Sequence, residues 1–121
     1  MGAGIELFDT RGPADAGPPP HVHPWEEVYV VLSGRLEVSI AGERFELAPG
    51  GVAHIPAGVE HGYRNLGEAH FLTITTRGNA AAFFTQVASQ VAMNPPDFQE
   101  VARVAASHEI AFTGLPPEQT P

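Results

Sequence analysis

His21 and His23 stand two residues apart, and Glu27 follows four residues after the second histidine. Imidazole and carboxylate groups bind divalent ions of the first transition row well. On a strand, residues two apart share a face, with Cα atoms roughly 6.6 Å apart. Two imidazoles at that spacing can lean onto one ion at about 2.1 Å. Glu27 has the parity of both histidines, so a strand continuing from His21 carries it to the same side. Glu26 has the opposite parity and is expected to face solvent or a partner. A fourth ligand must come from another strand, and the remaining histidines are His54, His61, His70 and His108. His61 follows the tight Pro56-Ala57-Gly58 turn, which sends the chain back toward the site. By parity His54 faces outward, His70 opens a strand, and His108 lies near a helix end, where the macrodipole favours a cation. Trp25, Tyr29 and Tyr63 share the ligands' parity and are candidate substrate contacts, offering stacking or a hydroxyl donor.

These residues need a β framework to hold them. GIELF (4–8) can form a first short strand, and TRGPADAGPPP (10–20) reads as an irregular Pro/Gly loop. HVHPWEEVYVVLSG is rich in Val and aromatic residues and ends on the Ser33-Gly34 turn signal. RLEVSI (35–40) alternates polar and apolar residues, Ala41-Gly42 is a two-residue hairpin turn, and ERFEL returns. Pro49-Gly50-Gly51, VAHI, the 56–58 turn, HGYRN, Leu66-Gly67-Glu68 and AHFLTITT complete a run with turns about every 8–12 residues, the spacing of a sandwich or barrel.

Near residue 79 the pattern changes. Asn79 can cap a helix carrying AAAFFTQVASQVAM. Asn94-Pro95-Pro96 breaks it, and Pro96-Asp97 opens a second helix, with Phe98, Val101, Ala102 and Ala105 on one face. Two helices of this size cannot hold a core alone, so they should pack on the sheets. Phe83 and Phe84 pack in the core or cover the mouth. The expected organisation is a single domain of 121 residues: a barrel over about 4–77, a helical extension over about 79–110 and a frayed tail over 111–121.

Composition excludes several classes. The formal net charge is -8, and all six basic residues are scattered arginines, so neither nucleic acid nor an anionic membrane surface is an expected partner. The chain has no Cys, which removes disulfides and thiolate catalysis. The first residues carry no apolar signal region, and a soluble cytoplasmic protein is the expectation. Val28, Val30 and Leu32 face away from the ligands, and such an apolar outer face needs cover from a sheet, a helix or another subunit.

Residues 21–34 and 50–65 carry two spaced motifs. The first is His-x-His, three residues, Glu, six residues, Gly. The second is Gly, five residues, Pro-x-Gly, two residues, His, three residues, Asn. In this order they resemble the two motifs of the cupin superfamily, over about residues 20–76. The resemblance implies His21, His23, Glu27 and His61 as metal ligands. Gly34, Gly50, Pro56, Gly58 and Asn65 fill the family's turn positions. Two positions depart: Asp15 stands where the family often has Gly, and Gly51 where many members carry Asp.

The resemblance implies an all-β jelly-roll barrel holding one divalent transition-metal ion, Fe2+, Mn2+, Ni2+, Cu2+ or Zn2+, in its mouth. The two helices pack on that barrel, and homodimerisation through a strand face is the family's habit. The site looks like that of small single-domain, quercetinase-like cupin dioxygenases, with Glu27 both ligand and catalytic base for a small enolic or phenolic substrate. A lyase, isomerase or cyclase without redox chemistry is the alternative, and a non-catalytic ligand-binding module is the third.

Overall fold

The computed structural model describes residues 4–76, 80–90 and 98–113. Nine strands and two helices run in the order β1 (Ile5–Gly12), β2 (His21–Val22), β3 (Glu27–Ser33), β4 (Leu36–Ile40), β5 (Glu43–Leu47), β6 (Val52–Ile55), β7 (His61–Asn65), β8 (Ala69–Thr76), α1 (Ala80–Gln90), α2 (Phe98–Ser107) and β9 (Ala111–Phe112). The strands form two antiparallel sheets, ordered β1-β8-β3-β6 and β5-β4-β7-β2-β9. This is the jelly-roll arrangement expected, with one correction. The sheets are not closed into a barrel, because no ladder joins them among the described residues. The chain changes sheet through segments rich in Pro and Gly, around Pro24, Gly34, Pro49-Gly50 and Pro56–Gly58. Proline lacks the N–H that a continuous ladder needs.

Local chemistry explains most boundaries. The Ala41-Gly42 hairpin forms as expected, with φ positive at both residues (51° and 84°) and Ile40 paired with Glu43. Gly34 has φ 77°, and a Cβ there would lie 2.2 Å from the Glu68 carbonyl oxygen, so this crossover admits only glycine. Asp15, which replaces the family's glycine, keeps a left-handed backbone at φ 65°, a conformation Asp tolerates. Its amide bonds the Asn65 carbonyl at 2.8 Å, and the Asn65 side chain holds Pro13, so Asn65 ties the 13–16 loop to β7. At Gly51 an added Cβ would sit 2.9 Å from the Ala48 carbonyl oxygen, which leaves the family's Asp little room.

Three expectations change. β1 runs on to Gly12, four residues past Phe8, because β8 supplies a full antiparallel partner from Ile5↔Thr76 to Gly12↔Ala69. The segment from His21 to Glu27 is not one strand: β2 ends at Val22 and belongs to the five-stranded sheet, whereas Glu27 opens β3 in the other. Ala111 and Phe112, expected in a frayed tail, pair with Val22 and His21. The Asn79 cap and the 94–97 break lie outside the described residues, as does the Phe84 side chain.

Two apolar clusters form the interior. Tyr29, Val31, Leu36, Val38, Ile55 and Phe71 fill one end of the space between the sheets. Trp25 packs at the other end with Ala80, Phe83, Val87, Val104, Ala105 and Ile110. The helices therefore pack on the sheets, as expected, and they do so at the mouth. On α2 the buried residues are Val104 and Ala105, so the buried face is turned slightly from the one the spacing indicates. The outer face of the four-stranded sheet remains apolar, with Ile5 73%, Leu7 62%, Leu32 46% and Val52 59% exposed.

Candidate metal centre

His21, His23, Glu27 and His61 are all buried, and one ligand atom from each lies within 4.8 Å of the others. His21 pairs directly with His61 across β2 and β7, and His23 follows β2. Glu27 reaches the same point from β3 in the facing sheet. The parity reading thus selects the right glutamate for an incomplete reason. The Pro24-Trp25 break carries the chain between sheets, and both faces that meet there point inward. Glu26 is exposed and bonds His54 Nε2 at 2.6 Å. His70 bonds Asp9 at 2.6 Å and His108 bonds Gln86 at 2.6 Å, so these three histidines stand apart from the cluster.

Hydrogen bonds fix the tautomers. His21 Nδ1 lies 2.9 Å from the Pro19 carbonyl, His23 Nδ1 3.1 Å from Trp25 O, and His61 Nδ1 2.9 Å from Val59 O. A carbonyl only accepts, so each Nδ1 donates, and each Nε2 is turned toward the centre. Such outer partners orient imidazole ligands in metal sites. His61 Nε2 then lies 2.9 Å from Glu27 Oε2, and His23 Nε2 3.8 Å from it. Three imidazoles and a carboxylate converging in a buried space form a donor set that suits a divalent transition metal.

Electrostatics agree. Burial, with the nearby His61, pushes the His21 pKa down to about 4, so its imidazole is neutral near pH 7. Burial would raise the Glu27 carboxyl. The His23 and His61 rings and the Tyr29 hydroxyl outweigh it and hold the group well below the usual carboxylate range. Tyr29 donates to Glu27 Oε2 at 2.8 Å. Burial and the Glu27 charge raise both tyrosines, Tyr63 to about 12, so both stay protonated donors.

A cavity of about 340 Å³ opens beside the cluster. Trp25, Tyr29 and Tyr63 all line it, as their parity predicts. Trp25 is 1% exposed and stacks on His23, with ring centroids 4.3 Å apart and planes 9° apart. Its indole N–H is buried with no hydrogen-bond partner. Phe8, Thr10, Thr73, Phe83, Ile110 and Phe112 also line the cavity. Sequence reading missed Thr10 and Thr73 as wall residues. Their signal was present: Phe8 and Thr10 share parity, and Phe71, Thr73 and Thr75 alternate inward on β8.

A jelly roll carrying a three-histidine, one-carboxylate cluster at its mouth defines the class. The Cupin_2 family (cupin domain) matches residues 10–75, and the chain belongs to that family. Quercetin 2,3-dioxygenase of Bacillus subtilis (strain 168) is 35% identical over 121 residues, covering 88% of this chain. The chain spans 36% of that relative's length. Among solved structures, an RmlC-like cupin from Shewanella frigidimarina NCIMB 400 superposes with TM-score 0.62 at 18% identity, over 66% of this chain and 72% of that one. The DMSP lyase DddQ from Ruegeria pomeroyi DSS-3 superposes with TM-score 0.56 at 28% identity, over 61% of this chain and 39% of that one.

Proposed function

We propose that this chain is a metal-dependent oxidoreductase of the dioxygenase type, acting on a small enolic or phenolic substrate. The observation that carries it is the convergence of three imidazoles and the Glu27 carboxylate on the edge of an aromatic-walled cavity. The 35% identity to a quercetin 2,3-dioxygenase supports the reaction class. A divalent transition ion bound there would supply Lewis acidity toward a substrate oxygen and activation of dioxygen.

The chain's own residues do the rest. His21, His23, Glu27 and His61 hold the ion. Three neutral imidazoles and one carboxylate leave net charge of about +1 on a divalent site, which favours an anionic substrate oxygen. The contacts from Tyr29, His23 and His61 all fall on Glu27 Oε2, which leaves Oε1 to accept a substrate proton. Trp25, Phe8 and Phe83 exclude water from the cavity, and the Tyr63 hydroxyl donates to bound substrate. Aerobic and anaerobic incubation with a flavonol or another enediol-type compound tests the reading. Oxygen-dependent loss of substrate is expected, and turnover without oxygen would sink it.

The DMSP lyase similarity favours a second reading, a non-redox lyase in which the ion only polarises a carbonyl. Activity retained after replacement of the native metal by Zn2+ selects this second reading, and activity lost selects the first.

We also propose that a second copy of the chain covers the apolar face of β1, β8, β3 and β6. Among the described residues the ion pairs here are Arg11–Asp9, Asp9–His70 and Glu26–His54, and exposed Ile5, Leu7, Leu32 and Val52 offer a two-fold partner apolar surface to match with its own. Sedimentation analysis of wild type and Leu7→Glu checks it. A dimer weakened by the substitution is expected, and a wild-type monomer would contradict it.

A further inference from the structure

Most of the cavity wall is apolar, yet it holds a further polar feature besides the histidine cluster and the Tyr29 and Tyr63 hydroxyls. Thr10 Oγ1 and Thr73 Oγ1 lie 3.1 Å apart, and both residues line the cavity. Thr10 comes from β1 and Thr73 from β8. A hydroxyl pair uses one hydrogen for its mutual bond, so one hydrogen and several lone pairs remain for another partner. Hydroxyls set in an apolar wall carry a desolvation cost that two valines would avoid.

Register places this pair relative to the centre. Glu27 is opposite Thr75, and Tyr29 is opposite Thr73. Thr73 therefore lies one strand across and two residues along from Glu27, roughly 8 Å by backbone spacing. Thr10 lies on the next strand beyond it. The cavity wall thus carries a hydroxyl pair set apart from the metal-centre cluster, and Phe8, Trp25 and Phe83 line the same cavity.

We propose that the Thr10–Thr73 hydroxyl pair is a specificity site that binds a second oxygen of the ligand, a hydroxyl or carbonyl on the side away from the metal centre. The preferred ligand class is a small ring compound carrying a metal-binding oxygen group at one end and a hydrogen-bonding oxygen at the other. This rests on the metal-centred reading of the site.

The test uses benzohydroxamic acid and 4-hydroxybenzohydroxamic acid with the zinc-loaded protein, because the hydroxamate anchors on the ion and only the second compound carries a distal hydroxyl. Binding is measured by calorimetry, independent of turnover. The 4-hydroxy compound is expected to bind wild type about tenfold more tightly, the worth of one well-placed hydrogen bond. Thr10→Val/Thr73→Val is expected to abolish that preference while retaining the affinity for benzohydroxamic acid. Thr10→Ser/Thr73→Ser, which keeps both hydroxyls, is expected to retain it. Equal affinity of wild type for the two compounds, with both lost in His61→Ala, overturns the specificity site and leaves the metal centre standing. Failure of both compounds to bind the zinc-loaded wild type overturns the centre and the inference together.

Discussion

The two ends of the space between the sheets are built differently. At the closed end, Val31, Leu36, Val38, Ile55 and Phe71 interlock, none more than 1% exposed. These residues come from regular alternating strands that hydrogen-bond to immediate neighbours. At the mouth, Trp25 gathers residues from α1, α2 and the segment before β9. Packing there stops short of filling the volume and leaves the cavity beside the histidines. One end sets the spacing of two sheets that share no ladder among the described residues, and the other uses that spacing to bring Glu27 from one sheet against His21 and His61 of the other, with His23 from the segment after β2. A metal at the centre would therefore tie the sheets together at the end where apolar packing is least complete.

Breaking the closed end should cost the most. Leu36→Ala is expected to lower unfolding free energy by about 2–5 kcal/mol, because Leu36 is fully buried. Chemical denaturation measures that loss, and the metal content of the folded fraction should be unchanged. A variant that loses metal in proportion to stability would show that the two ends are not separable.

Acidification should weaken the mouth next. In the unfolded chain His21 takes a proton near 6.5, whereas in the folded metal-free protein it resists until about 4. The unfolded state binds more protons in that window, so stability is full above about pH 6.5 and falls as pH drops toward 4. The loss is about 3 kcal/mol. Glu27 acts in the same direction at lower pH: its depressed carboxyl contributes stability above its ordinary value of 4.5, and this is lost as pH falls further. Urea titrations of metal-stripped protein at pH 7.5 and 5 check the sign, and equal midpoints would contradict it.

Smaller effects sharpen the contrast. Tyr29→Phe removes the donor to Glu27 and is expected to weaken metal affinity about tenfold with little change in fold, as read by competition with a metal chelator. Glu26→Ala, one residue from a ligand, removes only an exposed pair with His54 and should change stability by less than about 0.5 kcal/mol, with metal affinity unchanged.

Much of the closed end was legible in the sequence. RLEVSI, ERFEL, VAHI, HGYRN and AHFLTITT alternate between recognisable turns, and the strands fall where that pattern puts them. The four-residue cluster was legible too, because two spaced motifs agree in order. The mouth was less so, since its parts depend on contacts far apart in sequence. Thr10 sits in a Pro/Gly-rich stretch that becomes strand only through pairing with β8. Phe112 has no local strand pattern and pairs only because the helices return the chain to His21. The Pro24-Trp25 crossover is invisible to a parity argument, which returns the correct inward side for Glu27 whether or not the strand continues.

The central claim is that the four converging side chains hold a metal, and elemental analysis tests it most directly. Wild type purified without added ions, and His61→Ala and Glu27→Ala prepared in parallel, are measured for metal per chain, with circular dichroism to confirm folding. About one divalent transition-metal ion per wild-type chain and near-complete loss in both folded variants are predicted. A wild-type protein that neither retains nor takes up a transition metal, or variants that hold it as tightly as wild type, would contradict the account.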